Sequence, residues 1–157
     1  MTDRQANVKL RSYQTSDCMD ILALFHQTVH RINKADYTEQ QLNVWATGNE
    51  DPIKWDRSLS SHYAIVAIVN DQIVGFGDID QTGYLDRLFV HSDFQRQGIA
   101  TAICNALEEK SSAGLITTYA SLTAVPFFTH RGYAIKQKNL VVRSGVKLTN
   151  FLMCKIL

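Results

Sequence analysis

The segment Gln95-Arg96-Gln97-Gly98-Ile99-Ala100 stands directly after an extended apolar run and directly before residues of helical spacing. A glycine at such a junction lets the main chain approach a bulky group closely. The free amides and positive dipole end of the following helix attract phosphate oxygens. The chemistry implied is the holding of a phosphate or pyrophosphate. No Gly-Lys-Ser/Thr follows Gly98, so the segment is not a P-loop, and it lacks the three spaced glycines of a dinucleotide fingerprint.

Two further groups carry reactive side chains. Along Tyr84 to Val90, alternation puts Tyr84, Asp86, Leu88 and Val90 on one face of a strand, with Leu85, Arg87 and Phe89 on the other. Upstream, His26 and His30 lie one helical turn apart. No glutamate follows His26 and no third ligand is evident, so the sequence implies no metal site. The run Arg31 to Tyr37, with Asn33 and Tyr37 in it and Trp45 beyond it, is rich in groups that recognise small polar ligands.

The elements that must position these residues follow from periodicity. Val8 to Tyr13 alternates as a strand, and Thr15-Ser16-Asp17 offers oxygens to start a helix whose apolar face is Ile21, Leu22, Phe25 and Val29, ending before Asn33. A second helix begins near Thr38, where Thr-Glu-Gln-Gln resembles a capping box. Tyr63 to Val69 and Ile73 to Ile79 form a hairpin around Asn70-Asp71, and Tyr84 to Val90 extends it into an antiparallel meander. Gly98 to Ser112 reads as a helix stopped by Gly114 and Leu115 to Tyr119 as a short strand. Ala124 to His130 reads as a brief helix, and Ala134 to Val142 with Lys147 to Ile156 as the last strand pair. The order β, αα, βββ, α, β, α, ββ predicts an α/β protein of mixed α+β layout.

At 157 residues the chain suits one domain spanning 1–157. Its composition, 45% hydrophobic and 20% charged, is that of a globular protein, and no apolar run approaches the roughly 20 residues of a membrane helix. The opening MTDRQANVKL lacks the apolar core of a secretory signal, which favours the cytoplasm. Cys18, Cys104 and Cys154 are widely spaced and read as reduced thiols. A net charge of +1 supplies no broad footprint for nucleic acid or an anionic membrane, so neither is expected as a partner.

With Leu-Phe-Val-His before it and Ala120 to Tyr133 (Ala-Ser-Leu-Thr-Ala-Val-Pro-Phe-Phe-Thr-His-Arg-Gly-Tyr) after it, the Gln95 to Ala100 segment resembles the corresponding motifs of the GCN5-related N-acetyltransferase superfamily. The resemblance spans nearly the whole chain. It implies a mostly antiparallel central sheet whose middle strands splay apart, flanked by helices, with acetyl-CoA as cosubstrate and coenzyme A as product. It further implies that Leu88, Phe89 and Val90 contact pantetheine, that Gln95, Arg96, Gln97, Gly98, Ile99 and Ala100 contact the pyrophosphate, and that Ser121, Phe127 and Phe128 line the far wall.

The resemblance also implies a reaction: direct attack of an amine on the thioester, in a complex holding both substrates. A backbone amide near Phe89 or Val90 would meet the thioester oxygen, and Asp86, with Tyr84 beside it, would take the amine's proton. Many members carry a tyrosine where this chain has Phe128, which has no proton to give. Either Ser121, Tyr119, Tyr133 or a water protonates the leaving thiolate, or the thiolate leaves unassisted. His30, Asn33, Tyr37 and Trp45, on the first two helices and their connection, would bind the acceptor, a small molecule or an exposed peptide amine. A monomer or homodimer is expected. The departure at Phe128 leaves a second reading, a module that binds acetyl-CoA without catalysis.

Overall fold

The computed structural model describes residues 7–157; the opening segment that lacks a signal's apolar core lies outside them in part, at 1–6. The elements run β1 (Lys9–Ser12), α1 (Cys18–Ile32), α2 (Glu39–Trp45), α3 (Pro52–Ser61), β2 (Tyr63–Val69), β3 (Gln72–Ile79), β4 (Leu85–Val90), α4 (Ile99–Lys110), β5 (Leu115–Ser121), α5 (Val125–His130), β6 (Ala134–Arg143) and β7 (Val146–Ile156). They build two antiparallel sheets, β1-β2-β3-β4 and β5-β7-β6. The mixed layout and the meander β2-β3-β4 match the sequence reading. The β2-β3 turn carries positive φ at both Asn70 and Asp71, 49° and 64°, the twist that a two-residue hairpin favours.

Three expectations need correction. Helix α3 was absent from the sequence reading, because only Leu59 on it is fully buried and no strong apolar stripe marks it. Its start was nonetheless written in the chain: Asp51 accepts a hydrogen bond from the amide of Ile53, and Pro52 opens the helix. Helix α4 ends at Lys110 rather than running on to Ser112 and Gly114, and the Gly114 carbonyl instead accepts from the amide of Leu157. Strand β4 starts at Leu85, because Tyr84 bridges to the other sheet.

Strands β2 and β3 are covered on both faces, which is why they read as nearly continuous apolar runs. On one side Ile99, Ile103 and Leu107 of α4 pack with Ile65, Ala67 and Val74. On the other Ile21, Phe25 and Val29 of α1 and Leu59 of α3 pack with Val66 and Phe76.

The two sheets meet where β4 and β5 run side by side. Among the described residues a single parallel bridge, Tyr84 to Thr117, joins them, with the Thr117 amide donating to the Gly83 carbonyl at 3.0 Å. The Thr118 hydroxyl adds a bond to the Leu85 carbonyl at 2.8 Å. Gly83 has φ +90°, and a Cβ there would lie 2.5 Å from the carbonyl oxygen of Leu115, so only glycine allows this approach. Past Leu85 the strands part.

Behind α4, Glu108 ties three elements together. Its carboxylate accepts from Arg131 Nε at 2.7 Å, the Tyr133 hydroxyl at 2.8 Å and Lys155 Nζ at 3.0 Å. Burial pushes this carboxyl up, but the bonds from Arg131, Tyr133 and Lys155 outweigh it and hold the carboxyl below its ordinary value. A depressed folded value means that the ionised form stabilises the fold at pH above about 4.5 and that this contribution is lost as pH falls below it. Glu108→Gln should cost about 2–3 kcal/mol at pH 7, read from the urea midpoint, and the gap from wild type should shrink below pH 4. A gap independent of pH would contradict the charge-based account.

Candidate active site

The parting of β4 from β5 opens a groove of about 330 Å³, bounded by Leu88, Phe89 and Val90 on one side and Ser121, Ala124 and Phe127 on the other. No β5 backbone pairs with β4 beyond the bridge at Tyr84 among the described residues, so that edge of Leu88 to Val90 faces the groove. The Val90 carbonyl is already taken, by Gln95 Nε2 at 2.7 Å and the Thr28 hydroxyl at 3.2 Å. Gln95 thereby fastens the loop to the strand end.

At the end of the groove, Gly98 has φ +80° and precedes the first residue of α4. The first helical bond runs from the Ala102 amide to the Gly98 carbonyl, which leaves the amides of Ile99, Ala100 and Thr101 ahead of it. No side chain caps this end and no acidic residue lies in its first turn. Arg96, with φ 61°, and Ile99 and Ala100 also line the groove. Gln97 is exposed and outside the lining, between the left-handed turns at Arg96 and Gly98.

The aromatic pair splits. Phe127 lines the groove, whereas Phe128 is 3% exposed and packs edge-on against Phe127 and Tyr133 at 5.2 and 5.0 Å. The expectation that Phe128 forms the wall is therefore corrected, because its neighbours enclose it in the core. Tyr133, one of the candidate proton donors, spends its hydroxyl on Glu108 on the far side, and burial raises its pKa further.

Ser121 stands where the groove meets a second cavity and lines both. Its Oγ accepts from the Ala124 amide at 3.1 Å and from Asn33 Nδ2 at 3.4 Å. Both bonds use its lone pairs and leave its own proton free to donate. Tyr119 also borders the second cavity, half exposed, with its ring edge-on to Tyr84.

This second cavity, of about 460 Å³, is walled by Phe25, Tyr37, Trp45, Trp55, Tyr84 and Phe89. Glu50, Asp86, Arg87 and Arg143 bring charge to it. The presence of both Asp86 and Phe89 here corrects the alternation read from sequence. Asp78 of β3 faces Arg87 and Ile79 faces Leu85, so Asp86 is an extra residue in β4 with no partner across the ladder. Such a bulge turns its side chain out of register. Asp86 and Arg87 consequently share one cavity, while Leu88 joins Leu85 and Val90 on the α4 side.

Burial raises the pKa of Asp86, and the negative Asp78 adds to the effect, against Arg87 and His62, which lower it. Its side chain is 29% exposed. Tyr84 is pushed up to about 12, chiefly by burial, so it keeps its proton at neutral pH. Behind Asp86, Asp78 is wholly buried and accepts from Arg87 Nη1 at 2.5 Å and pairs with His62 Nδ1 at 2.8 Å. Arg87 also reaches Asp86 at 3.5 Å and stacks over Trp55 at 4.7 Å. The acids of this cluster thus face a resident guanidinium, which offsets their charge.

The expected acceptor residues separate. Tyr37 and Trp45 line the second cavity, with rings 5.4 Å apart. Asn33 lines the groove instead. His30 lies at neither: its Nε2 is 2.7 Å from the Ala46 carbonyl and its ring stacks on His26, so it links α1 to the end of α2. Sequence reasoning missed Trp55, because it missed α3, and missed Arg143 and Asn150, which arrive from β6 and β7. The pairing of His62 with Asp78 had no local sequence signal.

Residues 33–154 match the family model of the acetyltransferase (GNAT) domain. The chain is 34% identical over 148 residues to the uncharacterised N-acetyltransferase YafP of Escherichia coli K12, covering 94% of this chain and 95% of that one. A crystal structure from Rhodopseudomonas palustris, described as a GCN5-related N-acetyltransferase and as a class-II aminotransferase, superposes with a TM-score of 0.92 at 31% identity. That match covers 100% of this chain and 99% of the other. The PaiA N-acetyltransferase of Thermoplasma acidophilum, solved with coenzyme A, gives 0.78 at 14% identity over 96% and 99%.

Tyr37 braces the second cavity through its hydroxyl, which donates to the Thr149 carbonyl at 2.6 Å and accepts from the Leu122 amide at 2.9 Å. Tyr37→Phe should leave both groups unpaired and lower stability by about 1–3 kcal/mol in urea unfolding. An unchanged midpoint would show that this bridge does not hold the wall.

Proposed function

Because the chain belongs to the GNAT acetyltransferase family, we propose that it binds acetyl-CoA in the groove between β4 and β5 and acetylates a primary amine of a small molecule seated in the aromatic cavity. One observation carries this reading. The groove with the open α4 N-terminus and the cavity with Asp86 share a wall, Phe89 and Ser121, so two ligands can meet there.

The groove fits the ligand by chemistry. The leading amides of α4, uncapped by any side chain, suit a pyrophosphate. The unpaired edge of β4 suits an amide-bearing arm, and Phe127 offers an apolar wall. Acetyl-CoA supplies a thioester carbonyl activated for attack by an amine.

The chain's own groups then divide the work. Asp86, its basicity raised by burial, takes a proton from the ammonium form of the acceptor and leaves a neutral nucleophile. The register turns the Phe89 amide toward β3 and the Val90 amide toward the groove, and the Val90 amide donates to the thioester oxygen. Ser121, with a free proton at the junction, gives that proton to the departing sulfur and takes in its place the second proton that the attacking nitrogen loses as the C–S bond breaks. Trp45, Trp55, Tyr37 and Tyr84 enclose the acceptor with aromatic faces, which attract a cationic amine before it is deprotonated. Residues from α2, α3 and the β6-β7 pair surround this cavity, which supports a small acceptor over an exposed protein amine.

Gly98→Glu should abolish acetyl-CoA binding by calorimetry, since it adds an anion and a side chain at a positive φ; unchanged affinity would overturn the phosphate-site assignment. For catalysis, thiol release with a panel of small amines should fall as pH drops through the raised Asp86 value, because the protonated carboxyl cannot accept. Asp86→Asn should lower kcat/KM about 100-fold or more and remove that acidic limb. Tight acetyl-CoA binding without turnover on any amine would favour the non-catalytic binding module.

A further inference from the structure

Acetylation of an ammonium releases one net proton. Asp86 receives it while the acceptor fills the cavity that Asp86 lines. The proton must leave before the next cycle, and the residues beside Asp86 include a partly exposed histidine that does not line the cavity.

One nitrogen of His62 and one carboxylate oxygen each of Asp78 and Asp86 lie within 4.8 Å of one another. His62 Nδ1 is 2.8 Å from Asp78 Oδ2, and Asp78 has no exposed surface, whereas His62 is 18% exposed. The cluster therefore links a carboxylate that lines the cavity to an imidazole that solvent reaches. Asp78 is held in turn by Arg87, whose Nη2 reaches Ser58 at 2.8 Å, and its Oδ1 is buried without a partner among the described residues. A buried carboxylate bonded to one imidazole nitrogen fixes the tautomer and leaves the other nitrogen to accept a proton.

We propose that His62, oriented by Asp78, relays to solvent the proton that Asp86 takes from the acceptor amine. The proposal rests on Asp86 being the base. In the step, the O–H bond of protonated Asp86 breaks and an N–H bond forms on neutral His62, directly or through one water across the gap. The imidazolium is stabilised by the Asp78 carboxylate. It then loses a proton to water, so His62 begins and ends neutral. Asp86 makes contact with substrate, His62 carries the proton, and Asp78 is a positioning residue.

The charged groups around the imidazole are Asp78 from β3, Asp80 just beyond it, and Asp86 and Arg87 from β4. The bond to Asp78 raises the His62 pKa, against partial burial. The relay is open when His62 is neutral, so it closes as pH falls below that raised value.

The test measures kcat of the whole enzyme with saturating acetyl-CoA and amine, for His62→Ala, His62→Gln and Asp86→Asn, with imidazole added at increasing concentration. His62→Ala should lose about tenfold or more in kcat, keep its KM for acetyl-CoA, and recover rate in proportion to imidazole. His62→Gln, which retains a hydrogen-bond donor toward Asp78, should fold normally by circular dichroism and show the same loss. Wild-type kcat in either His62 variant, or a loss indifferent to imidazole in both, overturns the relay. Should Asp86→Asn keep wild-type kcat, the assignment of the base falls and the relay with it; a slow Asp86→Asn beside fully active His62 variants overturns the relay alone.

Discussion

Both the groove and the aromatic cavity depend on how β4 and β5 meet. They touch at one bridge, Tyr84 to Thr117, reinforced by the Thr118 hydroxyl on the Leu85 carbonyl, and then separate. A continuous ladder would have paired the β4 edge and closed the sheet. Because the contact ends after one turn of the pleat, backbone that a sheet normally consumes is left facing a groove. The same gap puts Ser121, at the end of β5, against both cavities. Gly83 makes the contact sterically possible and α4, packed beneath β2 and β3, aims its N-terminus into the opening.

A second irregularity tunes the chemistry. The extra residue in β4 is Asp86, so the strand's one bulge coincides with its one carboxylate. A regular strand would have sent Asp86 and Phe89 to opposite faces. With the bulge, the carboxyl enters the aromatic cavity, where loss of water raises its basicity, and it backs onto the His62, Asp78 and Arg87 cluster. Arg87 restrains this effect: its positive charge reaches both Asp78 and Asp86 and works against burial at Asp86. Burial outweighs that guanidinium and leaves the Asp86 pKa raised.

Much of the layout was legible because local physics wrote it. Residues 63–79 form a hairpin because both faces are apolar and Asn70-Asp71 tolerate positive φ. Gly98 marks a helix start because its neighbours change from strand to helix spacing. The failures are equally physical. Helix α3 has too little buried surface to leave a stripe, although Asp51-Pro52 signalled its start. His30 looked like a ligand residue and instead meets a backbone carbonyl, a contact no spacing encodes. Phe127 and Phe128 are neighbours in sequence on a short helix, yet one lines the groove and the other is core.

The sequence by itself determined most of the element types, the glycine-marked loop before α4 and the supply of side chains with protons to give or take, since each depends on propensities and spacings within a few positions. The tertiary structure alone decided which of them act together. Asp86 faces Trp55 and Arg143, Ser121 faces Asn33, and His62 faces Asp78, through contacts between segments far apart along the chain. Such meetings are fixed by strand register, a single bulge and the angle between two sheets. None of these has a local signature, because each follows from how the whole core closes.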